Sequence, residues 1–131
     1  YVWPEATGRM ARIDAAIALA LRMSPEIERM DAGDWVIKEV TRKQEAGVTR
    51  VIAHSIMWQY LPEFTQERIE TAMEEAGAAA TAEKPLAHTA LETNRETFQH
   101  ELKVRYWPGG EAPVHLANAH PHGAWVEWLG G

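Results

Sequence analysis

Residues 48–58, VTRVIAHSIMW, run between Gly47 and Pro62 with no helical period and few charges. Val51, Ile52, Ala53, Ile56 and Met57 are all apolar. A short continuous apolar run bounded by turn residues has the pattern of a strand buried on both faces, which belongs in a sheet flanked by helices. That strand constrains the fold more than any other segment, and the stretches around it read as the helices it requires. Met10, Ile13, Ile17 and Leu21 recur at three or four residues, an apolar helical stripe that starts near Pro4-Glu5 and ends at Ser24-Pro25. Ile27 to Met30 reads as a short strand. Asp34 is the expected N-cap of a second helix through Trp35, Ile37 and Val40, closed by Gly47. Thr65 is the expected cap of a third, with Ile69, Ala72, Met73 and Ala76 on one face and Gly77 as its stop.

From Pro85 the pattern turns to β. Leu86–Glu92 reads as a strand, and residues 100–107 alternate Leu102, Val104 and Tyr106 against Glu101, Lys103 and Arg105. Pro108-Gly109-Gly110 is a turn signal, Val114–His120 the returning arm, and Gly123–Leu129 a last strand or an extension. The whole reads as a single α/β domain over residues 1–131, ending in a C-terminal antiparallel hairpin. The chain opens at Tyr1 rather than Met and reads as a piece of something longer.

Composition excludes several kinds of chemistry. There is no cysteine, so disulfides, zinc–thiolate sites, iron–sulfur clusters and thiol nucleophiles are out of reach. That is compatible with a cytoplasmic location. Thirteen Lys and Arg against nineteen Asp and Glu, net −6, give no basic face for nucleic acid. No apolar run approaches the ~18 residues of a membrane span. Much of the acid lies at Glu63, Glu67, Glu70, Glu74, Glu75 and Glu83, read as a solvated helix face, with an acidic docking surface as the alternative.

His54 and Ser55 lie near the far end of the apolar strand, where open α/β sheets bind ligands. Their structural alternative is a carbonyl-bonded imidazole and a turn cap. Asp31 and Asp34 straddle Ala32-Gly33. A carboxylate there could accept from an amine or a ribose hydroxyl, while Gly33 would let a ligand approach the backbone. Asp34 also suits a purely capping role. His120 and His122 flank Pro121. In extended backbone they would point to one side, as metal ligands short of a third, as a substrate-contacting loop or as a hydrogen-bonded corner. No metal site is assigned. Six tryptophans are read as core and edge packing, or else as an interface at Trp125 and Trp128.

The segments VWPE (2–5), MDAGDW (30–35), HSIMWQYLP (54–62), RYWPGGE (105–111) and AHPHGAWVEWLG (119–130) resemble, in order, the bacterial domain-of-unknown-function 2332 family. Its members are longer, and this chain looks like their C-terminal portion. The family in turn resembles class I S-adenosylmethionine-dependent methyltransferases. That resemblance implies part of a Rossmann-like three-layer sheet. It places Asp31, Ala32 and Asp34 near the cofactor, and His54 and Ser55 facing a small-molecule acceptor. The Gly-rich loop after the first strand and the acid ending the second are absent from these residues, and Met30 stands where a small residue is usual. The reading that follows is a methyltransferase-like domain with His54 as a base. Its alternatives are a non-catalytic scaffold that self-associates through an exposed sheet edge, and a metal-dependent hydrolase built on His54, His120 and His122.

Overall fold

The computed structural model describes residues 7–130; the helix start expected at Pro4-Glu5, and Trp3, lie outside them. The elements are α1 (Thr7–Met23), α2 (Ala32–Thr41), β1 (Arg50–Ser55), a 3-10 turn (Trp58–Tyr60), α3 (Glu63–Ala78), β2 (Leu86–Thr93), β3 (His100–Trp107), β4 (Gly110–Ala119) and β5 (Val126–Trp128). The sheet runs β1-β2-β3-β4-β5. β1 and β2 are parallel and joined through α3, while every later pair is antiparallel. The fold is therefore mixed α/β with an open, mostly antiparallel sheet.

Helices α2 and α3 pack on one sheet face. Their Val36, Val40, Ile69, Ala72 and Met73 meet Ile52, Leu86 and Trp107 from the strands. Strand alternation decides which side chains join them. The other face carries Val51, 52% exposed, and Tyr106, 47% exposed. Two layers, not three, are present among the described residues, and β1 is buried on one face only. Its unbroken apolar run concealed that alternation, because Val51 and Ala53 are apolar yet exposed.

Other boundaries also move. Residues 27–30 form no strand. The N-cap of α2 is Asp31, whose Oδ1 accepts from the N–H of Gly33 (2.9 Å) and of Asp34 (3.2 Å), and the helix ends at Thr41 rather than Gly47. α3 starts at Glu63 behind Pro62, before Thr65, which is itself buried. Gly77 is the penultimate residue of α3, which ends at Ala78, so the expected stop falls within one residue, and the glycine has a packing role as well. A Cβ there would meet the Trp107 indole at 2.5 Å, so the glycine lets α3 lie flat on β3. Pro113 is tolerated in β4 because β5 pairs only with Ala117–Ala119, leaving Pro113 on an edge. Trp107 is the core tryptophan, whereas Trp125 and Trp128 are largely exposed, contrary to a packing role for both. No helix among the described residues is long and apolar enough to cross a membrane.

Gly77→Ala tests the α3–Trp107 contact. Overpacking against a ring is expected to lower stability by about 1–3 kcal/mol, read from the urea midpoint. Helix propensity alone would raise it, so a gain would show that the indole moves aside.

Candidate functional site

His54 leaves β1 on the helix-covered face, next to His88 and Glu92 of β2, whose even-numbered residues share that face. Immediately after β1 the chain makes an unusual turn: Ile56 is left-handed at φ +49°. A β-branched residue rarely adopts that conformation, and here Ile56 N–H is held by Leu91 O at 2.9 Å. The turn presents the Met57 and Trp58 N–H groups to Glu92 Oε1, at 3.0 and 3.2 Å. It also stacks the Trp58 indole on the His54 ring, centroids 5.3 Å apart and planes 19° apart. Gln66 of α3 locks the turn by donating to Trp58 O and Leu61 O, both at 3.0 Å.

Glu92 Oε1 also lies 2.8 Å from His54 Nδ1. A carboxylate oxygen accepts, so Nδ1 carries the proton, and in neutral His54 Nε2 is the basic nitrogen. That nitrogen lies 3.0 Å from His88 Nε2, which then donates to it. The result is a continuous hydrogen-bonded line, Glu92–His54–His88, ending at His88 Nδ1. No hydrogen bond among the described residues engages that atom, and no buried side-chain nitrogen or oxygen there lacks a partner, so it retains contact with solvent. Burial, reinforced by His54 and Arg105, pushes the His88 imidazole down to about 4. It is neutral at pH 7.

The line borders a cavity of about 360 Å³, closed further by Trp58, Ala90, Lys103 and Arg105. Its cations are already engaged. Lys103 Nζ is 2.5 Å from Glu101, and Arg105 bridges Glu70 (2.8 Å) and Glu74 (2.9 Å) of α3 while lying over Trp107. Of the histidine pair, only His88 Nδ1 is left without a hydrogen-bond partner among the described residues.

The other candidate residues lie elsewhere. Ser55 is on the opposite sheet face from His54, because successive strand residues alternate. Asp31 caps α2, and Asp34 is held by Arg68 of α3 at 2.5 Å. A Cβ on Gly33 would meet Arg68 at 3.3 Å and Asp31 at 3.1 Å, so the group approaching this backbone is Arg68. Asp31 and Asp34 thus tie α2 to α3 through Arg68, each using Oδ1 while the side chain stays about half exposed, 47% and 57%. His120 and His122 sit past the end of β4 in a turn, not in extended backbone. His122 N–H donates to His120 Nδ1 at 3.1 Å, and the His120 ring packs edge-on to Trp125. They do not join His54, and among the described residues no three His, Asp or Glu side chains are arranged to hold a metal ion. His88 and Glu92 escaped the sequence reading. Their i, i+4 spacing in a strand puts them on one face, but only strand pairing brings that face to His54.

The low His88 value fixes a pH dependence. The unfolded chain takes up this proton near the ordinary imidazole value and the folded chain only near 4, so folding is favoured fully above about pH 6.5 and loses that contribution as pH falls toward 4. Between about pH 7 and pH 4.5 this amounts to about 2–3 kcal/mol. Chemical denaturation at both pH values should show His88→Gln losing that much less than the parent chain. Equal acid sensitivity would mean that His88 does not titrate as described.

No curated protein and no solved structure matches the chain. A family model described as an uncharacterized protein conserved in bacteria (DUF2332) matches residues 1–128. With nearly all of its length covered by that match, the chain belongs to the DUF2332 family.

Proposed function

We propose that this chain carries a general acid–base site, in which Glu92, His54 and His88 move a proton to or from a small molecule held in the adjoining cavity. The observation that carries this reading is the His54 Nε2–His88 Nε2 contact of 3.0 Å, backed by Glu92 at 2.8 Å. A substrate proton taken by His88 Nδ1 lets the Nε2 proton of His88 pass to His54 Nε2. The imidazolium formed on His54 then faces the Glu92 carboxylate, which stabilises it. The reverse transfer makes His88 an acid. Trp58 fixes the His54 ring plane and offers an aromatic wall to a planar substrate.

The test uses 5-nitrobenzisoxazole, a planar compound whose ring opens when a base removes its C–H proton. The parent chain should turn it over, and His54→Gln and Glu92→Gln should each lower the rate by about 10²-fold, the lower end of general-base effects. A parent rate no higher than that of the His54→Gln variant sinks the proposal.

A second reading, methyl transfer to a small-molecule acceptor, draws on the family resemblance and on one observation: His54 lies at the carboxyl end of β1 in a parallel β1–α3–β2 unit. Calorimetric titration with S-adenosylhomocysteine decides: micromolar binding supports this reading, and no heat removes it.

A further inference from the structure

His54 Nε2 and His88 Nε2 stand 3.0 Å apart, with their ring centroids 5.1 Å apart and the planes tilted by 41°. Two imidazoles bound to one tetrahedral zinc at the usual ~2.0–2.1 Å hold their nitrogens about 3.3 Å apart and their ring centroids about 5.2 Å apart. The pair thus needs only a small parting of the rings to become a pair of ligands. Glu92 supplies a second feature of such a site. Its Oε1 accepts from His54 Nδ1 at 2.8 Å, the carboxylate contact that fixes a ligating histidine's tautomer and leaves Nε2 for the metal. The third feature is charge. Beside the cavity Lys103 is paired with Glu101, and Arg105 with Glu70 and Glu74, while Glu92 meets only N–H donors. Four carboxylates against two cations leave two negative charges for a dication to neutralise. Arg105, whose charge bears on His88, brings two of those carboxylates with it.

We propose that His54 Nε2 and His88 Nε2 bind one zinc(II) ion, with water completing its shell inside the cavity. Among the described residues no three His, Asp or Glu side chains converge on a metal position, so the site has two protein ligands and keeps exchangeable positions toward the space of about 360 Å³. An open shell of this kind marks a reactive or exchangeable zinc rather than a structural one. Imidazole suits zinc, and the cysteine-free chain offers no softer ligand to compete. The protons balance without an outside base. His54 keeps its proton on Nδ1, against Glu92. His88 loses the Nε2 proton to solvent and gains one on Nδ1, a change of tautomer that leaves it neutral, as it is at pH 7. The ion occupies the two nitrogens between which the proposed proton relay runs, and so shuts that relay off. Binding itself does not depend on the relay.

Calorimetric titration of zinc chloride into the metal-stripped chain reads the affinity, and nitrogen NMR of the imidazoles reads the ligands. One zinc per chain should bind with micromolar affinity. His88 should switch from the Nε2–H to the Nδ1–H form as zinc is added, while His54 keeps its Nδ1–H. His54→Gln and His88→Gln should each remove the binding, and Glu92→Gln should weaken it about tenfold, the lower end for such outer partners. His120→Gln with His122→Gln should leave it intact. Circular dichroism verifies that each variant is folded. Should one of the histidine variants fail to fold, the tautomer switch in the parent chain still decides. No zinc binding, binding lost with His120 and His122 instead of His54 and His88, or binding without the His88 switch would each overturn the proposal. The relay and the metal site fail separately. Zinc binding to a chain that, metal-free, does not turn over 5-nitrobenzisoxazole removes the relay and keeps the metal site, and turnover without zinc binding does the reverse.

Discussion

The contact between α3 and the sheet organises everything else in this chain. Met73 is fully buried, and one turn later Gly77 lies against the Trp107 indole with no room for a side chain between them. A helix brought that close to β3 sits across the strands at a fixed height. Arg105, adjacent to Trp107 on the same face, then reaches Glu70 and Glu74 on α3. Apolar burial supplies most of the adhesion, and the guanidinium, with two carboxylates and the indole as partners, fixes the lateral position. Replacing that glycine or that tryptophan would change the spacing of the whole layer.

The site depends on the same spacing. α3 holds the turn after β1 through Gln66, and that turn carries the two N–H groups aimed at Glu92 as well as the indole stacked on His54. Three donors converge on one carboxylate oxygen, so Glu92 acts as the anchor of the cluster. The left-handed Ile56 is the local distortion through which the chain achieves this, held in place by strand pairing on one side and by α3 on the other. The left-handed residue beside a polar cluster, with a buried neutral imidazole facing a cavity, is the arrangement on which the acid–base proposal rests.

Coverage of the sheet is one-sided. Helices α2 and α3 occupy one face, while Val51 and Tyr106 mark an apolar surface on the other, and Trp125 and Trp128 lie largely exposed near β5. The sheet's single parallel pair, followed by an antiparallel meander, is the part of the architecture on which any closer fold comparison must rest.

Much of the secondary structure was legible in the residues themselves. His100–Trp107 alternates so regularly that its limits could be read directly, and the Ile69, Ala72, Met73 row marked the buried face of α3, because period and polarity are local properties of a chain. Local reading failed where two structures share one pattern. Asp31 and Asp34 are both good caps, and only the hydrogen bonds show which one serves; Gly77 can end a helix or admit an indole. His54 was recognisable as a polar residue at a strand's end. His88 and Glu92 were not, because a ring 34 residues away and a carboxylate 38 residues away become neighbours only through the register of β1 on β2. The sequence by itself determined which residues of β3 alternate, which face α3 buries and which chemistries are excluded; it did not determine whether the α1 stripe would be covered. The tertiary structure decided which faces meet, because pairing between distant strands is set by the packing of α3 across them and leaves no trace in local spacing.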